Sequence, residues 1–140
     1  MLNLKDADVI VVVSDPLRDE LIERGIDAGK ILVNPNGVDP DVYAPTVDGS
    51  AVRARYGLED KLILGFIGTF GAWHGAEVLA EAFGRLLNAH PEYRNSVRLL
   101  MIGDGLKMPE VKAALSRHHV EDECTLTGIV PQMQGPAHLA

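Results

Sequence analysis

Four short aliphatic runs constrain the fold more than anything else in the chain. Residues 9–13, Ile31–Val33, Leu62–Ile67 and Val97–Ile102 are rich in Val, Ile and Leu and do not alternate apolar with polar residues. A strand with one solvated face alternates, whereas a strand covered on both faces does not, so these runs read as buried parallel strands. Residues 124–127 form a weaker fifth candidate. Helical patterns lie between them. Residues 16–24 have Ser14 or Asp15 as a cap, Pro16 in the first turn and Gly25 as a stop. Ser50–Tyr56 is a short helix closed by Gly57. In residues 76–88, Val78, Leu79, Ala82, Phe83, Leu86 and Leu87 are expected on one buried face. Residues 109–118 turn Val111 and Leu115 inward. Strand alternating with helix predicts an α/β fold with a Rossmann-like parallel sheet.

Residues 34–50 break this rhythm. They hold three prolines, two glycines and, before Tyr43, four Asp or Asn residues, with no helical period. They read as a turn and an extended connector at a domain boundary.

Composition excludes several function classes. The chain has 140 residues, one domain at most on length alone, and 46% are hydrophobic, enough for a packed core. Its formal net charge of -7 argues against a nucleic-acid binder that works by bulk charge, while leaving room for a local anion site. Cys124 is the only cysteine, so no intrachain disulfide forms and a reducing, cytoplasmic setting is the default. The start, MLNLKDADVIVVVSDP, lacks the basic and long apolar regions of a signal peptide. The run at residues 9–13 is too short to cross a bilayer.

Two runs empty into glycine-rich loops. After Leu62–Ile67 comes GTFGAWHG, residues 68–75, and after Val97–Ile102 comes GDG, residues 103–105. Ligands of open α/β sheets bind beyond the carboxyl ends of strands. Glycine admits close backbone approach, and the helix that follows offers unpaired N–H groups with a partial positive charge. Gly68, Thr69, His74 and Gly75, facing Gly103, Asp104 and Gly105, would suit a diphosphate. Plain turn chemistry is the competing reading of each loop. No P-loop occurs, and Gly65, Gly68 and Gly71 do not follow the dinucleotide spacing. Trp73 reads as a packing or loop-anchor residue rather than a stacking platform. His118 and His119 read as solvated partners of a helix end rather than metal ligands, and Cys124 as a core residue.

Taken in order, ADVIVVVSDPLRDELIERGI, KILVNPNGVDPDVYAP, LILGFIGTFGAWHGAEVLAEAF, VRLLMIGDG and TLTGIV resemble the retaining glycosyltransferases of family 4, often called group 1. Asn36-Gly37-Val38-Asp39 with Tyr43 and Pro45 is similar to that family's crossover between two Rossmann-like domains. The resemblance implies a two-domain GT-B fold, of which residues 1–36 would be the last strand–helix–strand of the acceptor domain. Residues 37–60 would be the crossover and its short helix, and residues 61–140 the first half of the donor domain. It implies a UDP- or GDP-sugar donor, no metal and no further cofactor, with the acceptor unassigned. Many members carry Arg where this chain has Thr69 and Lys where it has His74. The family also carries two glutamates with seven residues between them, and no two glutamates here have that separation. The chain therefore reads as a fragment, inactive alone, whose incomplete sheets are expected to self-associate and whose only membrane contact would come from missing segments. The alternative is a non-catalytic α/β nucleotide-binding or interaction module.

Overall fold

The computed structural model describes residues 2–140. The chain falls into two compact units, one running up to Pro40 and one beginning at Asp41. The division lies inside the 34–50 connector, which carries neither helix nor strand before Ser50.

The first unit contains α1 (Leu2–Asp6), β1 (Ile10–Val12), α2 (Asp15–Glu23) and β2 (Ile31–Val33). β1 and β2 pair in parallel, with Ile10 opposite Ile31 and Val12 opposite Val33. Pro16 sits in the first turn of α2, where its missing N–H costs nothing. The chain leaves α2 through Gly25, whose N–H donates to the Ile22 carbonyl while that of Ile26 returns to Leu21. Ile10, Val12, Leu21 and Ile26 form the core. Lys30 Nζ donates to the carbonyls of Lys5 and Ala7, fixing the approach to β1. Burial on both faces, expected for residues 9–13 and 31–33, does not hold. Val9, Val11, Val13 and Leu32 are exposed, because α2 packs on one face and no described residue of this unit covers the other.

The second unit contains α3 (Ser50–Tyr56), β3 (Leu62–Ile67), α4 (Ala76–Ala89), β4 (Val97–Ile102), α5 (Met108–His118), β5 (Cys124–Gly128) and α6 (Gly135–Leu139). Its three strands are parallel in the order β3-β4-β5. Successive side chains of the central strand point to opposite faces. Val97, Leu99 and Met101 enter the core under α4 and α5, while Leu100 and Ile102 join Leu58 on the other side. β3 is only half-covered, with Leu62 and Ile67 exposed, because it is an edge strand here. Cys124 packs against the main core, and burial pushes its thiol up to about 12.

α4 is turned from its expected orientation. Ala76, Ala80, Phe83, Gly84 and Leu87 are buried, Leu79 and Leu86 are half-buried, and Val78 and Ala82 face solvent. Small residues at positions 76, 80 and 84 let α5 approach closely. A Cβ on Gly84 would lie 2.5 Å from His118 Cβ. The solvated reading of His118 is therefore corrected: its ring lies on α4, with Nε2 3.0 Å from Glu81 Oε2 and Nδ1 3.2 Å from Asn88 Nδ2. His119 is exposed and ends α5 with φ 55. Glu81 also accepts from Arg85 and Arg117, and His118 first, then Arg85, holds its carboxyl below the ordinary value.

Two outcomes test this packing. Gly84→Ala should lower unfolding free energy by about 1–3 kcal/mol in urea titration, since a clash with Cβ cannot be relieved by rotating the ring. The open edge of β3 should recruit other copies. Light scattering of the 140-residue chain should show a mass above one chain that grows with concentration, and a monomer throughout would refute this.

Candidate functional site

Parallel order brings the carboxyl ends of β3, β4 and β5 together, so the loops that follow them are neighbours. The backbone laces them. Gly68 N donates to Ile102 O, Phe70 N to Asp104 O, Lys107 N to Phe70 O and Gly103 N to Gly128 O, at 2.8 to 3.0 Å. The close approach explains two glycines of the second loop. A Cβ on Gly103 would sit 1.8 Å from Gly68 O, and one on Gly105 2.8 Å from Phe70 O. Phe70 is the residue that pins the first loop. It is fully buried and meets Phe66 edge-on, with ring centroids 5.6 Å apart. The sequence reading missed it, although an aromatic between Thr69 and Gly71 was visible. Trp73, expected to anchor or pack, is instead 85% exposed. Phe70 already fills that role.

These contacts decide what each loop can offer an anion. In Gly103-Asp104-Gly105 the N–H of Gly103 is bound to Gly128, and that of Gly105 donates to Asp104 Oδ1 at 2.7 Å. This loop supports its neighbour. Lys107, at its end, is paired with Glu110 at 3.0 Å. The first loop is better placed. Gly75 is the N-cap of α4 with φ 72, and it supplies no side chain, so the first-turn N–H groups have no side-chain cap. His74 Nδ1 lies 2.7 Å from the carbonyl of Thr69 and 2.9 Å from Thr69 Oγ1. A carbonyl can only accept, so Nδ1 carries a hydrogen, and a neutral ring presents Nε2 as an acceptor. Protonation converts Nε2 to a donor.

Beside the first loop lies a cleft of about 340 Å³. Its wall includes Gly68, Thr69, Gly103 and Asp104 from the laced loops, Ile129 to Gln132 after β5, and Tyr43. His74, Gly75 and Gly105 do not line it. Tyr43 and the segment after β5 were not singled out as site residues. Strand order brings them in, and no local pattern announces it. Among the described residues no group of three or more His, Cys, Asp or Glu is placed to hold a metal, and no helix is long and apolar enough to cross a membrane.

Residues 2–42 match Glycosyltransferase Family 4. Over 98% of its length the chain superposes on 37% of HepE from Anabaena, solved in complex with UDP and glucose, with a TM-score of 0.74 and 21% identity. The fold is that of GT-B glycosyltransferases. Two curated relatives are D-inositol 3-phosphate glycosyltransferases. That of Stackebrandtia nassauensis is 41% identical over 55% of this chain and 17% of its own length. That of Kribbella flavida is 33% identical over 85% of this chain and 29% of its own. The chain thus spans less than a third of the length of these two relatives. Together these matches support a group 1 glycosyltransferase.

The lacing of the two GT-B loops has a measurable cost when disturbed. Gly103→Ala, which needs φ 132 as well as space, should lose about 2 kcal/mol or more in chemical denaturation. Gly65→Ala, with nothing within 4 Å, should lose less than about 1 kcal/mol.

Proposed function

We propose that the intact protein transfers a sugar from a UDP- or GDP-linked donor with retention of configuration, acting in the cytoplasm. In this reading residues 68–75 and the first turn of α4 hold the donor diphosphate. One observation carries it: a glycine loop held in front of an uncapped helix N-terminus by a second loop from the adjacent parallel strand. Such a helix end favours an anion through its unpaired N–H groups and its dipole. The solved complexes of HepE with UDP and with UDP-glucose support the same ligand class.

In the reaction the bond from the anomeric carbon to the diphosphate oxygen breaks. The acceptor oxygen bonds on the same face and passes its proton to the departing diphosphate oxygen, and the nucleoside diphosphate leaves. The negative charge gathers on the departing oxygens. The α4 N–H groups and a protonated His74 would stabilise it there, without a metal ion in this reading. The 340 Å³ cleft would take the nucleoside, on the side of Gly68 and Thr69. The 140-residue chain is expected to bind a nucleoside diphosphate weakly and not to turn over, because the glutamate pair of the resembled family has no counterpart in it.

Calorimetric titration with UDP and with GDP tests the assignment. His74→Ala, which removes one charge-assisted hydrogen bond to the diphosphate, should weaken both nucleotides by about tenfold. An unchanged affinity in that variant would remove His74 from the site. Release of sugar from a donor by the chain alone would show that it is catalytically sufficient.

A further inference from the structure

We infer that Trp73 is the side chain that receives the sugar of the donor, its indole face lying against the hexose on the far side of the diphosphate. The inference rests on the donor reading given above and adds the group that reads the transferred residue.

The first loop carries two aromatic residues with opposite fates. Phe70 is fully buried and already ties the loop to the core. Trp73 is 85% exposed, although the turn around it is pinned by the hydrogen bond from His74 N to Gly71 O. A large apolar side chain on a fixed turn, with the anchoring done by another residue, is free to meet a ligand. Isolated exposed aliphatics need no such account, but this one adjoins the anion loop.

The order of groups along the loop matches the order within a nucleotide sugar. Thr69 is part of the cleft wall, and His74 is not. The Thr69 carbonyl and hydroxyl hold His74 Nδ1, and the His74 ring meets the indole at 69°, with centroids 5.9 Å apart. Cleft, Thr69, His74 and Trp73 form one continuous series, as do nucleoside, diphosphate and sugar. The two rings are not stacked, so the indole keeps a face toward solvent. A pyranose presents a face of C–H bonds with slight positive character, which suits the negative face of an indole, and its hydroxyls stay in water at an exposed position.

Trp73 is the only tryptophan of the chain, so fluorescence reports on this residue alone. The 140-residue chain is titrated with UDP, UDP-glucose, GDP and GDP-mannose, with binding followed in parallel by calorimetry. A sugar-bearing donor should shift Trp73 emission to the blue and protect it from acrylamide, and the matching nucleoside diphosphate should do neither. In calorimetry Trp73→Ala should weaken the sugar nucleotide relative to its nucleoside diphosphate by about two- to tenfold, and Trp73→Phe should keep most of that difference. If the sugar nucleotide binds while Trp73 emission and quenching match those of the nucleoside diphosphate complex, the role of Trp73 is refuted and the donor site stands. Absence of binding by any of the four nucleotides overturns the donor reading and this inference with it.

Discussion

The carbonyl of Gly68 occupies the space where residue 103 would carry a side chain. From that contact the rest of the site is built. It brings two loops close enough to exchange backbone hydrogen bonds, and those bonds place Phe70 in the core. With Phe70 fixed, the chain turns through Gly71 and Gly75 into α4 at a set position. The second loop supports the first through the Ile102 and Asp104 carbonyls, while its Gly103 and Gly105 N–H groups are taken by Gly128 and the Asp104 side chain. A pair of glycine loops that look equivalent in sequence thus divides into one that offers donors and one that holds it in place.

The helices behind the site obey a similar economy of size. Ala76, Ala80 and Gly84 form a smooth strip along α4, and α5 lies against it with His118 filling the gap over Gly84. The polar atoms brought in by that histidine are met by Glu81 and Asn88, and Arg94 Nη2 fixes the Asn88 amide by donating to its Oδ1. Close helix packing and the polar cluster are one feature, since a bulkier residue at 84 would expel the ring and separate it from Glu81 and Asn88.

Much of this is legible in the sequence. The runs at 62–67 and 97–102, the helices after them and the glycine loops announced a parallel α/β unit with a site at the strand ends. The misreadings share one physical source. Counting large apolar residues placed Val78 inward on α4, whereas the packed face was chosen by small residues, which carry no hydrophobic signal. Trp73 was expected to anchor or pack the loop, but register along the loop put Phe70, to which no role had been given, over the core instead. The outer face of β1 and β2 was misjudged because a β-branched run reports that a face is suited to cover, without showing what covers it.

β4 also separates two packed layers by parity. Its odd-numbered residues, 97, 99 and 101, serve the α4/α5 core, and 100 and 102 serve the Leu58 side. The strand then delivers Gly103 directly onto the Gly68 carbonyl. Gain or loss of a single residue inside this strand would exchange the two layers and, in the same step, put a side chain where only glycine fits. Substitutions of similar volume can be absorbed here one position at a time, but length cannot vary. The segment from Val97 to Gly105 behaves as a ruler, and the site keeps its spacing only while that ruler keeps its count.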